Sequence, residues 1–262
     1  MNKNKCLSAR LAIGKSIRSI SLLIAVILIL GSCTQFSSGG TTSLGGVENR
    51  LTLEEYKIAS FAGGEPEDFW ARHDRGNGHP FNCAFHRTHA VIADGKLTLH
   101  LTEDYGGYVG AEYRSRERFS YGFYSVKMKA AKCPGVISSF FTYTGFPWDE
   151  IDIEFLGDDT TRVQFNYYTG GVGGHEYIHY LGFDASEDFH EYAFDWQPDS
   201  ITWYVDGKPV YRATKNIPST PGQLMVNLWN VADSNADWAG KFDDSYLPVR
   251  AEYLWFGYQP AD

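Results

Sequence analysis

The sequence predicts an all-β domain, a sandwich or a barrel, and three observations lead there. From residue 90 onward, short runs rich in Val, Ile, Phe, Tyr and Thr recur between clusters of Gly, Asp, Asn and Pro. No amphipathic helical stripe longer than three turns interrupts them. Two Asp-Gly pairs separate apolar runs at hairpin spacing, Asp94-Gly95 between Ala93 and Lys96, and Asp206-Gly207 between runs 201–205 and 208–211. Pro209 lacks a ladder donor, which places its strand at a sheet edge or at a bulge. With 262 residues, 43% apolar and 16% aromatic, the chain can bury a sizeable core, and four cysteines are too few for a disulfide scaffold.

Taken in chain order, the first element is a leader rather than a fold. Lys3, Lys5, Arg10, Lys15 and Arg18 precede the apolar run 22–30, the order of a secretory signal, and the run is shorter than a membrane span needs. It ends in Leu30-Gly31-Ser32-Cys33, which resembles a bacterial lipobox, so residues 1–32 read as a lipoprotein signal peptide and Cys33 as the lipidated new N-terminus. Residues 33–50, rich in Gly, Ser and Thr, read as a flexible tether. Residues 51–262 contain no 20–50-residue repeat and no charge block, and read as one domain. Beyond the leader, 18 basic residues face all 32 acids, a net charge of −14, which argues against a nucleic-acid partner and for a neutral or weakly charged substrate.

The chemistry-bearing element is Trp148-Asp149-Glu150-Ile151-Asp152-Ile153-Glu154-Phe155. As a strand it sends Glu150, Asp152 and Glu154 to one face and Ile151, Ile153 and Phe155 to the other. Three carboxylates in line repel one another and stabilise nothing by themselves, so such a row points to function; a solvated acidic face and a calcium site are the alternatives. Glycosidic-bond hydrolysis needs a carboxylic acid on the leaving oxygen and a carboxylate to attack or to activate water, and Glu150 and Glu154 are candidates for that pair. Four residues of straight strand separate their Cα atoms by ~13 Å, so only a curved sheet would bring the carboxyls to the ~5–5.5 Å of a retaining enzyme. Asp152, between them, can set their proton affinities apart.

The neighbouring elements suit a sugar. Phe141, Tyr143, Trp148, Tyr167, Tyr168 and Trp229 occur beside Gln164, Asn166, Asn227 and Asn230, combining flat apolar faces with orienting amides. Taken singly, each aromatic fits core packing as well. Alternation along 164–168 puts Gln164, Asn166 and Tyr168 on one face, which would make a poor core.

The segment 148–157 resembles the active-site strand of the bacterial endo-1,3-1,4-β-glucanases (lichenases) of glycoside hydrolase family sixteen, and segments 138–145, 163–168, 192–198, 203–207 and 227–230 extend the resemblance over about residues 57–258. It implies a β-jelly-roll sandwich with a concave substrate-binding sheet. It also implies a retaining mechanism with Glu150 as nucleophile, Glu154 as general acid/base and Asp152 tuning both. Asn82, Glu112, Arg114, Phe141, Tyr143, Trp148, Asn166, Tyr168, Asn227 and Trp229 fall on positions similar to its glucan-binding residues. Laminarinase-like members insert a residue before the last Glu; this chain does not, which favours mixed-linkage β-glucan over laminarin, with xyloglucan, a galactan or a non-catalytic glycan-binding role as alternatives.

Four positions depart from that pattern. Cys83 matches one half of the family's usual disulfide, but the partner position holds Gly110, and Cys133 is the other cysteine of the domain. The connection 145–148 is short, and Phe85 replaces a Trp. Leu254 stands where a calcium-binding Asp is common, so a structural calcium would rely on backbone oxygens and water. No cofactor is expected for catalysis. His86 and His89, or His175 and His179, lack a third ligand and read as hydrogen-bonded surface histidines. The expected partners are a β-glucan and, through the lipid, a membrane of the bacterial cell envelope, the outer membrane or cell surface; the expected state is a monomer.

Overall fold

A computed structural model describes residues 57–71, 75–104 and 106–261. The expected leader, Cys33 and the tether lie outside the described residues. Among those described, the strands are β1 (Lys57–Ser60), β2 (Phe69–Ala71), β3 (Arg75–Gly76), β4 (Ala84–Phe85), β5 (Ala90–Ala93), β6 (Lys96–Asp104), β7 (Gly107–Phe119), β8 (Gly122–Lys129), β9 (Val136–Tyr143), β10 (Glu150–Leu156), β11 (Arg162–Tyr168), β12 (Tyr177–Tyr180), β13 (His190–Gln197), β14 (Ser200–Val205), β15 (Lys208–Ala213), β16 (Gly222–Asn230) and β17 (Val249–Pro260), with one four-residue helix, α1 (Ala236–Ala239). The fold is the all-β jelly-roll sandwich that the sequence predicts.

Two sheets face each other. The inner sheet runs β12-β11-β10-β9-β16-β7-β2. The outer runs β15-β14-β13-β8-β17, and β17 then pairs with β1 along one stretch and with β6 along another, β6 in turn pairing with β5. Strand β6 pairs with β17 through Leu101 and with β7 from Thr102, so the β6–β7 corner carries the chain from one sheet to the other. Every ladder is antiparallel except the short β4–β7 pair.

Both hairpin signals form as expected. Asp94 and Gly95, and Asp206 and Gly207, all have positive φ (53° and 74°, 46° and 73°), the backbone of a type I′ turn, which matches the twist of the strands it joins. Pro209 lies on β15, whose described ladder is with β14 alone, and the register shifts beside it, between Trp203 and Tyr204 of the facing strand. Both devices allowed for Pro209 are therefore present, an edge and a bulge.

The core is the space between the sheets. Ile151, Ile153 and Phe155 of β10 are fully buried there, against aromatic side chains such as Trp203, Phe165 and Phe194. Full burial of each large apolar side chain contributes roughly 1.5–3 kcal/mol. Two outer-sheet side chains also brace the inner sheet's backbone. Trp203 Nε1 donates to the Asp152 carbonyl at 3.1 Å, and the Tyr253 hydroxyl donates to the Ser139 carbonyl at 3.2 Å. The functional face of β10 is thus held from behind.

Cys83 and Cys133 are both buried free thiols, so the two do not bridge. A Cβ at Gly110 would lie 3.2 Å from Cys83 Sγ but only 2.3 Å from the Leu228 carbonyl oxygen, so this chain has traded a side chain there for close approach of β7 and β16. Phe85, fully buried, meets Phe81 edge-on at 5.8 Å. Leu254 is the residue passed over where β17 shifts register against β8, and its side chain offers no oxygen ligand. Among the described residues no group of three or more His, Cys, Asp or Glu side chains gathers for an ion. The donor set therefore does not fit a carboxylate-held calcium.

Candidate active site

Antiparallel register assembles the site as rungs across the inner sheet. Glu150 is paired with Tyr168 on β11 and Tyr143 on β9; Asp152 with Asn166 and Phe141; Glu154 with Gln164 and Ser139. The rungs continue through β16, where Met225 faces Phe141 and Asn227 faces Ser139, to Arg114 and Glu112 on β7. Side chains at these alternate positions line one cleft of about 730 Å³. Of the residues expected from sequence, Glu112, Arg114, Phe141, Tyr143, Trp148, Asn166, Tyr168, Asn227 and Trp229 line it, together with Glu150, Asp152 and Glu154.

Three residues singled out in the sequence lie elsewhere. Asn82 lies not in this cleft but in an adjoining depression of about 480 Å³, which shares Phe81 with it. Tyr167 turns into the core, its hydroxyl donating to the Lys215 carbonyl at 2.7 Å, because it alternates with Asn166 and Tyr168. Asn230 is fully buried and does not line the cleft. His175 stacks on Tyr167 at 4.0 Å and bonds its carbonyl, while His89 bonds the Thr102 hydroxyl at 2.8 Å, both as hydrogen-bonded histidines.

The two ends of the carboxylate row differ. Beyond Glu150, Trp148 stacks on Tyr168 with ring centroids 4.4 Å apart, and its indole N–H donates to Glu150 Oε2. Beyond Glu154, Trp229 packs on Phe81 at 4.0 Å and lies 6.1 Å from Trp238 of α1, whose indole N–H donates to Gln164 Oε1 at 3.1 Å. Gln164 passes that orientation on, since its Nε2 donates to Glu154 Oε2 at 2.9 Å. On the far wall Arg114 is held by Glu112, by Gln223 at 3.2 Å and by the face of Trp70 at 5.7 Å. Ser139 donates to Asn227 Oδ1 at 2.6 Å.

Trp148 is positioned by the residue after it. The Asp149 carboxylate, buried on the opposite face, accepts the backbone N–H groups of Gly170, Ser219 and Thr220 at 2.8–3.0 Å. Burial opposes its charge, but those N–H groups outweigh burial and hold its carboxyl below the usual range. Gly171 N–H then donates to the Trp148 carbonyl at 2.7 Å.

The electrostatics are those of a frustrated row. Burial pushes Glu150, Asp152 and Glu154 all above the ordinary carboxylate range, and repulsion between neighbours adds to it. The three share their protons as one set. Donors decide where the charge rests. Glu150 receives the Trp148 indole N–H and a hydrogen bond from Asp152, whereas Glu154 receives only the neutral amide of Gln164. The arrangement gives Glu150 two donors and Glu154 one, so the two ends of the row sit in unequal environments, as an acid/nucleophile pair requires.

Sequence reasoning missed several lining residues. Gln164 is not among them, since alternation already put it on that face, and Ser139 was within reach of the same rule. Phe81, Glu176 and Trp238 come from loops and a single helical turn, where no period marks a face.

Residues 77–247 match the model of glycosyl hydrolases family 16. A β-glucanase of Acetivibrio thermocellus is 54% identical over 198 residues, 73% of this chain and 59% of that protein, so the chain aligns with under two thirds of that relative's length. A β-glucanase of Paenibacillus macerans is 56% identical over 70% of this chain and 78% of its own. A β-1,3-1,4-glucanase (lichenase) derived from a mouse hindgut metagenome superposes with a TM-score of 0.75 at 48% identity, covering 79% of this chain and 99% of its own. With the carboxylate row, its amide rungs and its aromatic ends inside the matched span, the chain belongs to family 16 of the glycosyl hydrolases.

Proposed function

We propose that this chain is a retaining endo-β-glucanase that hydrolyses β-1,4 bonds next to 3-substituted glucose in mixed-linkage β-1,3-1,4-glucan, the polymer of lichenan and barley. One observation carries the reading: Glu150, Asp152 and Glu154 share one face of β10 at the floor of a cleft with packed aromatic pairs at both ends. In the first step Glu150 attacks the anomeric carbon while Glu154 protonates the departing glycosidic oxygen. In the second, Glu154 takes a proton from water, which cleaves the glycosyl ester and restores the starting configuration. Asp152 holds the shared proton that keeps Glu150 ionised. Tyr143, Phe141, Trp148, Tyr168 and Trp229 offer ring faces, and Glu112, Arg114, Asn166 and Asn227 offer hydroxyl partners; Asn82 would act only on a chain long enough to reach the adjoining depression. The assigned chemistry runs on carboxyl groups alone. The test is reducing-sugar release from barley β-glucan, laminarin, xyloglucan and carboxymethyl cellulose side by side. Barley glucan should be cut fastest, and faster cutting of laminarin would overturn the specificity while leaving the mechanism.

The leader supports a second proposal, that Cys33 is acylated and holds a monomeric enzyme at the cell envelope, tethered by residues 33–50. Failure of labelled fatty acid to enter the protein would remove it.

A further inference from the structure

The described residues expose six large apolar side chains, and three of them stand on two joined turns: Phe146 at 99% exposure, Val172 at 62% and Trp148 at 39%. Single exposed apolar residues are ordinary, but a cluster is not. These three sit on two short turns, 144–149 and 169–174, that are fastened together. Gly171 N–H donates to the Trp148 carbonyl and Gly170 N–H donates to the Asp149 carboxylate, while Thr169 and Val172 bridge each other within the second turn. The first turn is also pinned from within. The Thr144 hydroxyl donates to the Pro147 carbonyl and accepts Asp149 N–H at 2.9 Å, while Arg118 donates to the Thr144 carbonyl at 2.9 Å. On the second turn the backbone of Gly173 lies so close to the Tyr168 ring that a Cβ there would meet it at 2.4 Å. The exposed rings are therefore held by fixed backbone.

We infer that Phe146, with Trp148 and Val172, forms an outer sugar platform that seats the glucan chain where it leaves the cleft at the Glu150 end. The inference rests on the proposed reading of the cleft. Continuity argues for it, because Trp148 lines the cleft and also belongs to the patch. Charge argues for a neutral occupant. Asp149 is the only ionisable residue of the two turns, and it is buried and engaged by three N–H groups. A flat apolar ring beside an uncharged surface suits the C–H face of a pyranose. A platform that is already ordered adds affinity without the cost of immobilising a loop. The short connection through Phe146 is thus what presents the ring.

The experiment compares Phe146→Ala and Phe146→Tyr with the wild type on two substrates, polymeric barley β-glucan and an aryl glycoside of a mixed-linkage trisaccharide. In the alanine variant the ratio of kcat/KM on polymer to that on trisaccharide should fall about three- to tenfold, through KM, and tyrosine should restore it. Phe146 touches almost nothing in the protein, so an unchanged melting temperature is expected and checks the fold. An unchanged ratio overturns the platform and leaves the glucanase reading intact. An equal loss on both substrates overturns it too, because the side chain would then be acting on the cleft. A wild-type dimer that the alanine variant disperses, with the ratio unchanged, would give the patch to a second copy of the chain. No wild-type activity on any glucan would remove the glucanase reading itself, and the platform with it.

Discussion

Glu154 illustrates what a buried carboxyl costs the fold. Its folded-state proton affinity is raised by burial, so the folded protein holds a proton there that the unfolded chain releases. Stability from that proton is fully present below the unfolded value near ~4.3 and is lost as pH rises through the raised folded value. Gln at this position keeps an oxygen for the Gln164 amide and carries no charge. Glu154→Gln should therefore match the wild type near about pH 4 and exceed it near about pH 8, where roughly 1 kcal/mol would raise Tm by about 2–4 °C. Hydrolysis of unactivated glucan should meanwhile be lost. Melting curves of both proteins at the two pH values check this, and a gap that does not widen with pH would mean that Glu154 is not a strained carboxyl. The row as a whole was readable in the sequence because period two leaves no ambiguity about which residues share a face. Tyr167 shows the converse: composition placed it with the cleft, while the same alternation that found Tyr168 sends it to the core.

At the level of elements, local chemistry was legible and pairing was not. Asp94-Gly95 and Asp206-Gly207 specify their turns from two residues each, and the apolar row of β10 specifies which face is buried. Strands β2, β3 and β4, two or three residues long, are too short to show a period, and no sequence signal marked them. The neighbours of β16 were equally hidden, because pairing with β9 and β7 depends on contacts about a hundred residues away. Gly110 is where that pairing can be tested. A methyl group there must push against the Leu228 carbonyl at 2.3 Å, and the backbone it displaces carries Asn227 and Trp229 into the cleft. Gly110→Ala should cost about 1–3 kcal/mol by overpacking, read as a lower urea midpoint, and should raise KM on glucan. A stability change inside about 0.5 kcal/mol would show that β7 and β16 can part without strain.

The whole molecule turns a repulsive strand into a cleft by curving one sheet and bracing it with another. Trp203 and Tyr253 hold the inner backbone from behind, the β6–β7 corner ties the sheets, and the aromatic ends at Trp148 and Trp229 stand off the floor on either side of the carboxyls. Stacked rings recognise any glucose, so they cannot read which bond is cut. A hydrogen bond to one hydroxyl cannot read it alone either, since every unsubstituted glucose carries the same groups. What remains is the path of the substrate: a β-1,3 bond bends an otherwise straight β-1,4 chain, and a curved floor accepts the bend where a flat one would not. If curvature is the reader, each cut in barley β-glucan leaves a new reducing end whose glucose is substituted at O3, and a straight β-1,4 chain such as cellulose stays whole. Linkage analysis of the new reducing ends, by methylation of the reduced products, measures this directly. New ends substituted at O4 would show that the cleft does not sense the bend, and would place the specificity in individual hydroxyl contacts instead.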